Sequence, residues 1–434
     1  MTKKFDSKEQ VKRVFSSTHI LPDLLNTILT LSSQTQLEYM NFLEELVSKF
    51  REILDGQIRR LSVDHKSIWQ RVNKQKFGFI DGGVASINSL GSDPIAVRVG
   101  RYSVKPGVEG KERESFTYKT QLVDELYDLS SNEAIFEEFS DNQGKLRDMA
   151  RIASEAGAIF RSLIDENDFE YLYIHGPLIN PVAPYADYPN FTQKMLDVLG
   201  IEEKEVVELI QKRLPLGNEK HFISLYFYIL NYIFHSQTPV LGVIERNTGS
   251  KMIALTILDK LEEENSIQAK EAKLWKARMG EYKITDAILF ACLLQEGEYI
   301  DPLYIDKNGL HKAPEFWKPI IRDYPKPLTT YLKVSESSFP FRIEMFPANK
   351  DPDLLLSVTY HMARLLPQYG FPVGLDIVDK YAKVPAWMTN QLTKEQSINL
   401  LRNAINSGKP DVVDLVKLYL AGNHREWFLR PKSN

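Results

Sequence analysis

Short apolar segments with the composition of β-strands alternate along this chain with long helical segments, and this alternation restricts the fold to the mixed α/β class. The longest predicted helix covers residues 122–164. With 434 residues and no internal repeat, the chain can form two or three domains, or one large domain with insertions. The predicted strands cover residues 77–80, 92–102, 170–174, 238–246, 328–334 and 341–346.

Three further helical segments divide the chain. In residues 37–54 apolar side chains recur every three or four positions, which predicts an amphipathic helix that either docks on the core or pairs with a second subunit. Residues 190–236 predict helices interrupted by proline, as in an insertion, and residues 393–405 begin with the spacing of a capping box. We therefore expect an N-terminal helical arm (1–70), a main domain containing the insertion (71–390) and a C-terminal helical tail (391–434).

The composition excludes several classes of protein. The single Cys292 excludes a disulfide framework and a multi-cysteine zinc site, and it is typical of a reducing compartment. The most apolar stretch, residues 222–234, is too short for a membrane span of about 20 residues, so we expect a cytoplasmic protein without membrane contact. A net charge of −4 excludes a free-standing basic DNA-coating protein, so any nucleic-acid contact needs a local basic surface or a partner.

Asp81 is the first candidate for chemistry, because it follows the apolar run FGFI and precedes Gly82 and Gly83. A carboxylate at the end of a strand is held rigidly at the sheet edge, and the glycines let backbone or a phosphate approach closely. The alternative is an ordinary Asp-Gly hairpin turn. The sequence has no Gly-Lys-Ser/Thr phosphate loop, no dinucleotide-binding glycine pattern and no G-x-S-x-G elbow.

A histidine and three basic residues are further candidates. His175 ends another predicted strand and precedes Gly176; the alternative is a hydrogen-bonded structural histidine. Arg98 and Arg101, with Lys105 after them, are predicted to form a basic cluster beside Asp81 that neutralises phosphates. The alternative for this cluster is a solvated edge strand.

Six blocks in this sequence, in this order, resemble the NurA nuclease domain. The resemblance extends over about residues 75–385, and the order of the blocks makes it more specific than any block alone. The blocks are FGFIDGGVAS, Arg151-x-x-x-Glu155, YLYIHGPL, PVLGVIER, YLKV followed by FPFRIEMF, and GFPVGLDIVDK. The resemblance implies an RNase H-like mixed sheet and a Mn²⁺-dependent nuclease that trims DNA ends. It also implies a homodimer that docks on the hexameric ATPase HerA.

The resemblance also implies roles for individual residues. Asp81 matches the family's first metal-binding aspartate, and Glu155 matches its helical glutamate, with Asp148 as the alternative in another helix register. His175 stands where the family has an aspartate, and Asp379 stands where it has a histidine. Two further positions differ from the family pattern, with Phe371 for a tyrosine and Glu245 for a lysine.

Two hypotheses explain these departures. In the first, aspartate and histidine have exchanged places, so Asp81, Glu155, His175 and Asp379 still provide three carboxylates and one imidazole. The metal ligands are then Asp81, Glu155 and His175, and Mn²⁺ is expected, with Mg²⁺ as the alternative. The chain would be a metal-dependent DNA nuclease working with a HerA-like ATPase, in DNA repair or anti-phage defence.

In the second hypothesis the site has decayed, and the chain is a scaffold or regulatory subunit that binds the ATPase and DNA. A third interpretation is an RNase H-like protein that acts on RNA. The sequence predicts the nuclease, and it leaves open the polarity of digestion and the segment that contacts the ATPase.

Overall fold

The computed structural model describes residues 20–54, 56–61, 64–86, 95–122, 139–165, 168–186, 190–245, 252–306, 310–366 and 370–429. The chain divides into two compact units. One comprises residues 1–57 and 248–293, and the other comprises residues 58–247 and 294–434. The domain boundaries predicted from the sequence stay a prediction.

The described residues form ten strands and fourteen α-helices. The strands are β1 (Ile58–Arg60), β2 (Lys76–Ser86), β3 (Ile95–Val104), β4 (Glu114–Leu122), β5 (Phe169–His175), β6 (Val240–Ile244), β7 (Glu298–Ile300), β8 (Leu303–Tyr304), β9 (Leu328–Leu332) and β10 (Phe341–Phe346). The first seven helices are α1 (Ile20–Ile53), α2 (His65–Arg71), α3 (Phe139–Asp165), α4 (Gln193–Leu199), α5 (Glu203–Ile210), α6 (Phe222–Phe234) and α7 (Met252–Glu263). The others are α8 (Ala269–Glu281), α9 (Asp286–Leu293), α10 (Lys318–Arg322), α11 (Pro352–Ala363), α12 (Val373–Ala382), α13 (Ala386–Asn406) and α14 (Pro410–Leu429).

The smaller unit is helical. The predicted apolar face of α1 is present only in its second half, where Val47 and Phe50, and Leu54 directly after the helix, are buried. Leu37 and Met40 are exposed, and Phe42 and Leu46 are the buried residues there instead. Phe42 stacks on Tyr282 with ring centroids 4.5 Å apart, which fixes α1 against the end of α8. Within the described part of the chain, no helix is both long and apolar enough to span a membrane.

The larger unit is built on one mixed sheet with the strand order β1-β7-β9-β10-β6-β5-β2-β3-β4, and β8 pairs with β9. β2, β3 and β4 form an antiparallel meander. The chain then runs through α3 into β5, which lies parallel to β2, and through α4 to α6 into β6, which lies parallel to β5. The five strands in the order β4-β3-β2-β5-β6, with these directions, form an RNase H-like sheet. The predicted α/β fold class is therefore confirmed.

Two hydrophobic cores cover the two faces of this sheet, because strand side chains alternate between the faces. On the first face, which we call the α3 face, Ile80 and Ile174 pack with residues of α3 to α6. On the second, the α12 face, Phe79 and Tyr173 pack with residues of α11 and α12. The helices predicted as an insertion, α4 to α6, thus contribute to the core on the α3 face.

Gly82 and Gly83 let a helix approach β2 closely on each face. A Cβ at Gly82 would lie 2.8 Å from Cγ of Glu155 in α3. A Cβ at Gly83 would lie 2.4 Å from the backbone oxygen of Ala382 in α12. The double glycine therefore brings α3 and α12 within contact of the same two residues of β2.

We expect Gly83→Ala to lower the free energy of unfolding by about 1–3 kcal/mol, because a backbone oxygen cannot rotate away from the added methyl group. Urea unfolding measures this change. The matched control is Gly280→Ala in α8, where no atom lies within 4 Å of the added Cβ. That variant should gain about 0.5–1 kcal/mol from the higher helix propensity of alanine. Equal stability of Gly83→Ala and the unsubstituted chain would contradict the close approach of α12.

Candidate metal centre

Asp81 lies where β2 separates from β5. The parallel pairing of the two strands ends at Ile80 and Ile174, while β2 continues to Ser86 in its pairing with β3. The alternative prediction of an Asp-Gly hairpin turn is therefore wrong, because both glycines remain in the strand. Since β2 and β5 run in the same direction, Asp81 and His175 follow the last paired residues at the same edge of the sheet.

Three side chains meet at this edge, on the α12 face. Asp81, His175 and Asp379 each present a possible ligand atom, and these atoms all lie within 4.8 Å of one another. The Nδ1 atom of His175 lies 3.3 Å from Oδ2 of Asp81. Asp379 comes from α12, which packs against β2 and β3. The structure thus brings together two residues of the sheet and one that follows more than two hundred positions later.

Asp81 and Asp379 are each held by a neighbour. Oδ1 of Asp81 accepts a hydrogen bond of 2.8 Å from the backbone N–H of Gly82, so the carboxylate is fixed on its own strand. The Lys383 ammonium donates to Oδ2 of Asp379 over 2.6 Å, one helical turn later. The second oxygen of Asp81, Oδ2, is the atom that faces His175.

Glu155 reaches the same edge from the α3 face. Its side chain is 3% exposed and occupies the space beside Gly82. The Arg151 guanidinium donates to both carboxylate oxygens, over 3.0 and 3.2 Å. Burial raises the pKa of Glu155 to about 7, and the negative charge of Asp81 adds to the rise, against the opposing effect of Arg151. Glu155 is therefore a carboxyl group that can exchange a proton near neutral pH.

The acidic residues around His175 change the pKa of its imidazole. Burial lowers the pKa of His175, but the hydrogen bond and the charge of Asp81 outweigh burial, and Asp379 and Glu245 add to the rise. The net pKa is above the ordinary value, so the ring gains a proton more readily than a free imidazole. The ring of Phe371, which is buried, lies beside the imidazole with the two ring centroids 5.3 Å apart. Phe371 therefore provides an apolar contact to the imidazole of His175.

The donor set fits a divalent cation. Carboxylate oxygens bind Mg²⁺ and Mn²⁺, and an imidazole nitrogen favours Mn²⁺ over Mg²⁺. The 3.3 Å between Nδ1 of His175 and Oδ2 of Asp81 is a spacing that two ligands of one ion can adopt, since each ligand bond is about 2.0–2.2 Å. Glu155 lies outside this group of three residues. It is nevertheless close enough to Asp81 for the negative charge of Asp81 to raise the pKa of Glu155.

The three basic residues predicted to form one cluster do not do so. In the register of the two strands, Arg98 of β3 lies opposite Gly83 of β2, so its side chain is on the α12 face. There the guanidinium lies 4.2 Å from the ring centroid of Tyr118. Arg101 pairs with Ile80, faces α3 and donates to Oγ of Ser162 over 3.1 Å. The two arginines are three positions apart on a strand and therefore point to opposite faces.

Lys105 lies beyond the end of β3, away from this pair. Its ammonium is 3.8 Å from Oδ2 of Asp168, so it forms a weak ion pair at the surface. Arg98 alone of the three shares the face of Asp81.

A buried ion pair that was not predicted from the sequence supports the loop after His175. Glu344 is fully buried, accepts a 3.0 Å hydrogen bond from the backbone N–H of Leu178 and pairs with Arg342 at 3.1 Å. Gly242 on β6 allows this loop to cross the sheet, because a Cβ there would lie 2.5 Å from the backbone oxygen of Gly176. The available signal was the pair of charged residues in the apolar strand FRIEMF.

Residues 209–384 match the model of the NurA domain, which confirms the resemblance identified in the sequence. The match contains β6, β9, β10 and α12, and therefore Asp379. Asp81, Glu155 and His175 precede it, and the sheet joins them to the matched part. The comparison with curated proteins gave no match.

Solved structures of NurA are similar to this chain. The NurA nuclease from Sulfolobus solfataricus is 12% identical with a TM-score of 0.48, over 92% of this chain and 98% of that chain. A NurA structure with manganese is 12% identical with a TM-score of 0.45, over 84% and 96% of the two chains. A NurA structure bound to dAMP and manganese is 10% identical with a TM-score of 0.42, over 88% and 94%.

In the metal-free protein we expect Glu155→Gln to raise the free energy of unfolding at pH 8 and to have less effect toward pH 5. A folded-state pKa raised from 4.5 to about 7 means that the folded state holds a proton which the unfolded state has already released. The free energy of unfolding of the unsubstituted chain therefore falls as the pH rises from 4.5 to about 7, by about 3 kcal/mol in total. Glutamine imitates the protonated carboxyl and avoids the loss.

Urea unfolding in EDTA at pH 5 and pH 8 measures this difference. Glu208→Gln is the matched control, because Glu208 is an exposed carboxylate on α5 and its replacement should have the same small effect at both pH values. A Glu155→Gln variant that is less stable than the unsubstituted chain at pH 8 would contradict the assignment.

Proposed function

We propose that this chain is a metal-dependent nuclease that hydrolyses phosphodiester bonds of DNA. The observation that carries the proposal is the meeting of Asp81, His175 and Asp379 within 4.8 Å, with Glu155 beside them. The match of residues 209–384 to the NurA domain supports the same class of chemistry.

The ion would be held by Asp81, His175 and Asp379. Glu155 would add a fourth acidic or hydrogen-bonding group from the α3 face of the sheet. A bound Mn²⁺ or Mg²⁺ supplies an activated water and stabilises the charge that builds on the phosphate. Arg151 keeps the Glu155 carboxylate oriented through two hydrogen bonds. With a pKa near 7, Glu155 is suited to accept a proton at its carboxylate close to neutral pH.

An exchange of ligand types would explain two of the four departures from the family pattern. His175 and Asp379 stand in each other's expected positions, and they face the same group of atoms. The site then retains three carboxylates and one imidazole, without loss of ligand charge. Their proximity favours an exchange, because a decayed site has no need to keep two altered residues in contact.

The second candidate function is a scaffold that has kept the fold without the chemistry. The replacement of the expected tyrosine by Phe371 favours it, since the ring beside His175 has no hydroxyl group. The expected lysine is also replaced, by Glu245, whose negative charge acts on His175. A scaffold would bind neither Mn²⁺ nor the scissile phosphate at this site.

We further propose that the protein acts on DNA ends as a homodimer with a HerA-like hexameric ATPase, in DNA repair or anti-phage defence, in the cytoplasm. A net charge of −4 favours weak unassisted DNA binding at physiological salt. A ring-shaped ATPase that feeds duplex DNA to the site would overcome this weakness. The rate of cleavage should therefore rise when the ATPase is added, and a full rate without it would count against this partner.

We expect end-labelled linear DNA to be cleaved in Mn²⁺ by the unsubstituted chain, with at least a 100-fold slower rate for Asp81→Asn, because charge stabilisation at a bound ion is commonly worth several kcal/mol. His175→Gln and Asp379→Asn should each slow cleavage as well. All three replacements keep the approximate size of the side chain, so the fold is retained. Gel electrophoresis of the products measures the rates.

Asp259→Asn, on α7 in the other unit, is the matched control and should cleave at the full rate. If neither His175→Gln nor Asp379→Asn slows cleavage, the exchange hypothesis is wrong. If no variant and no unsubstituted protein cleaves DNA, even with the ATPase, the scaffold is the better account. An equal rate on RNA would instead favour a ribonuclease.

A further inference from the structure

A groove of about 350 Å³ lies on the α3 face of the sheet, away from the face that carries Asp81, His175 and Asp379. Its floor is apolar and comes from β3 and α4, with Val97, Val99, Met195 and Leu199. Its walls come from α3 and from β4, which ends the order of strands among the described residues. The groove therefore opens beside a sheet edge.

Three cations and one acidic residue line this groove, namely Arg101, Lys119, Arg161 and Asp165. Arg161 lies 2.5 Å from Oδ1 of Asp165 and donates to the backbone oxygen of Leu199 over 3.2 Å. Arg101 donates to Oγ of Ser162. The contacts hold both guanidinium groups in place at the groove, and the excess of positive charge matches an anionic ligand.

An aromatic residue joins the groove to the other face of the sheet. Tyr118 and Lys119 are successive residues of β4, so their side chains point to opposite faces of this edge strand. Tyr118 is 62% exposed and carries the Arg98 guanidinium against its ring, on the face of Asp81. An extended ligand that passes from the groove over β4 would therefore contact basic residues first and then an aromatic ring.

We propose that this groove binds a DNA single strand, with Arg101, Lys119 and Arg161 facing its phosphates. The apolar floor formed by Val97, Val99, Met195 and Leu199 accepts a sugar or a base. A basic groove with an adjacent exposed aromatic ring is the combination that binds single strands without sequence preference. The strand then crosses the β4 edge at Tyr118 and reaches the face of the metal centre. This inference rests on the proposed function for the identity of the polymer, but its test requires no cleavage.

Binding of a fluorescein-labelled single strand, measured by anisotropy in EDTA, tests the groove directly. Lys119→Gln and Arg161→Gln should each weaken binding about fivefold at 0.1 M salt, because each phosphate contact on a single strand releases about 0.7 counterion. The slope of log K against log salt should become shallower by about 0.7 for each replacement. Lys119 is exposed, so its replacement leaves the fold intact even if Arg161→Gln is destabilising.

Lys270→Gln, which removes one exposed charge from α8, is the matched control and should bind like the unsubstituted chain. If Lys119→Gln and Arg161→Gln bind like Lys270→Gln, the groove does not hold the strand and the inference is wrong. If dAMP binds as tightly as the strand, the groove is a mononucleotide site and the inference is also wrong. Neither result depends on cleavage, so failure of the groove and failure of the nuclease assignment are distinguishable.

Discussion

The parallel pairing of β2 with β5 is the constraint on which the rest of this site depends. The pairing places Ile80 beside Ile174, so the next residue of each strand, Asp81 and His175, reaches the same edge of the sheet. The preceding residues of both strands are buried between two cores, so neither strand can slide without moving apolar side chains to the wrong face. The position of Asp81 and His175 in the candidate metal centre thus follows from the register of the hydrophobic core.

Two buried acidic residues support this end of the sheet, and each has a specific basic partner. Glu155 lies beside Gly82 and is held by Arg151, although its raised pKa shows that burial outweighs the ion pair. Glu344 is fully buried but pairs with Arg342 and accepts a backbone N–H from the loop that follows His175. Losing Arg342 would leave the Glu344 charge buried without this ion-pair partner, at a cost of about 3–5 kcal/mol. Glu155 acts on the site through its proximity to Asp81, and Glu344 acts on it through the loop that follows His175.

Much of the sheet could be predicted from apolar runs, because β2, β5, β6 and β10 are buried strands with few polar side chains. The edge strand β4 could not, since its sequence ESFTYKTQL is largely polar and one of its faces is open. The grouping of Arg98 with Arg101 failed for a simpler reason: a spacing of three residues separates side chains on a strand, whereas it joins them on a helix. Strand alternation applied to these residues would have corrected it.

The candidate site was predicted only in part by local sequence. Asp81 and His175 could be selected because each ends an apolar run, and their proximity follows if the two runs are parallel neighbours. Asp379 lies on a helix far along the chain, and only the family resemblance pointed to it. Residue types and spacing alone do not fix a contact over such a separation, which is set by the packing of α12 on β2 through Gly83 and Ala382.

The position of a bound ion tests the account most directly. Crystals soaked in Mn²⁺ and measured at the manganese absorption edge would show the ion by its anomalous scattering. We predict one strong peak within about 2.0–2.4 Å of Asp81, His175 and Asp379 oxygen or nitrogen atoms. A peak elsewhere, or no peak at a concentration that saturates a typical Mn²⁺ site, would contradict the assignment of this edge as a metal centre.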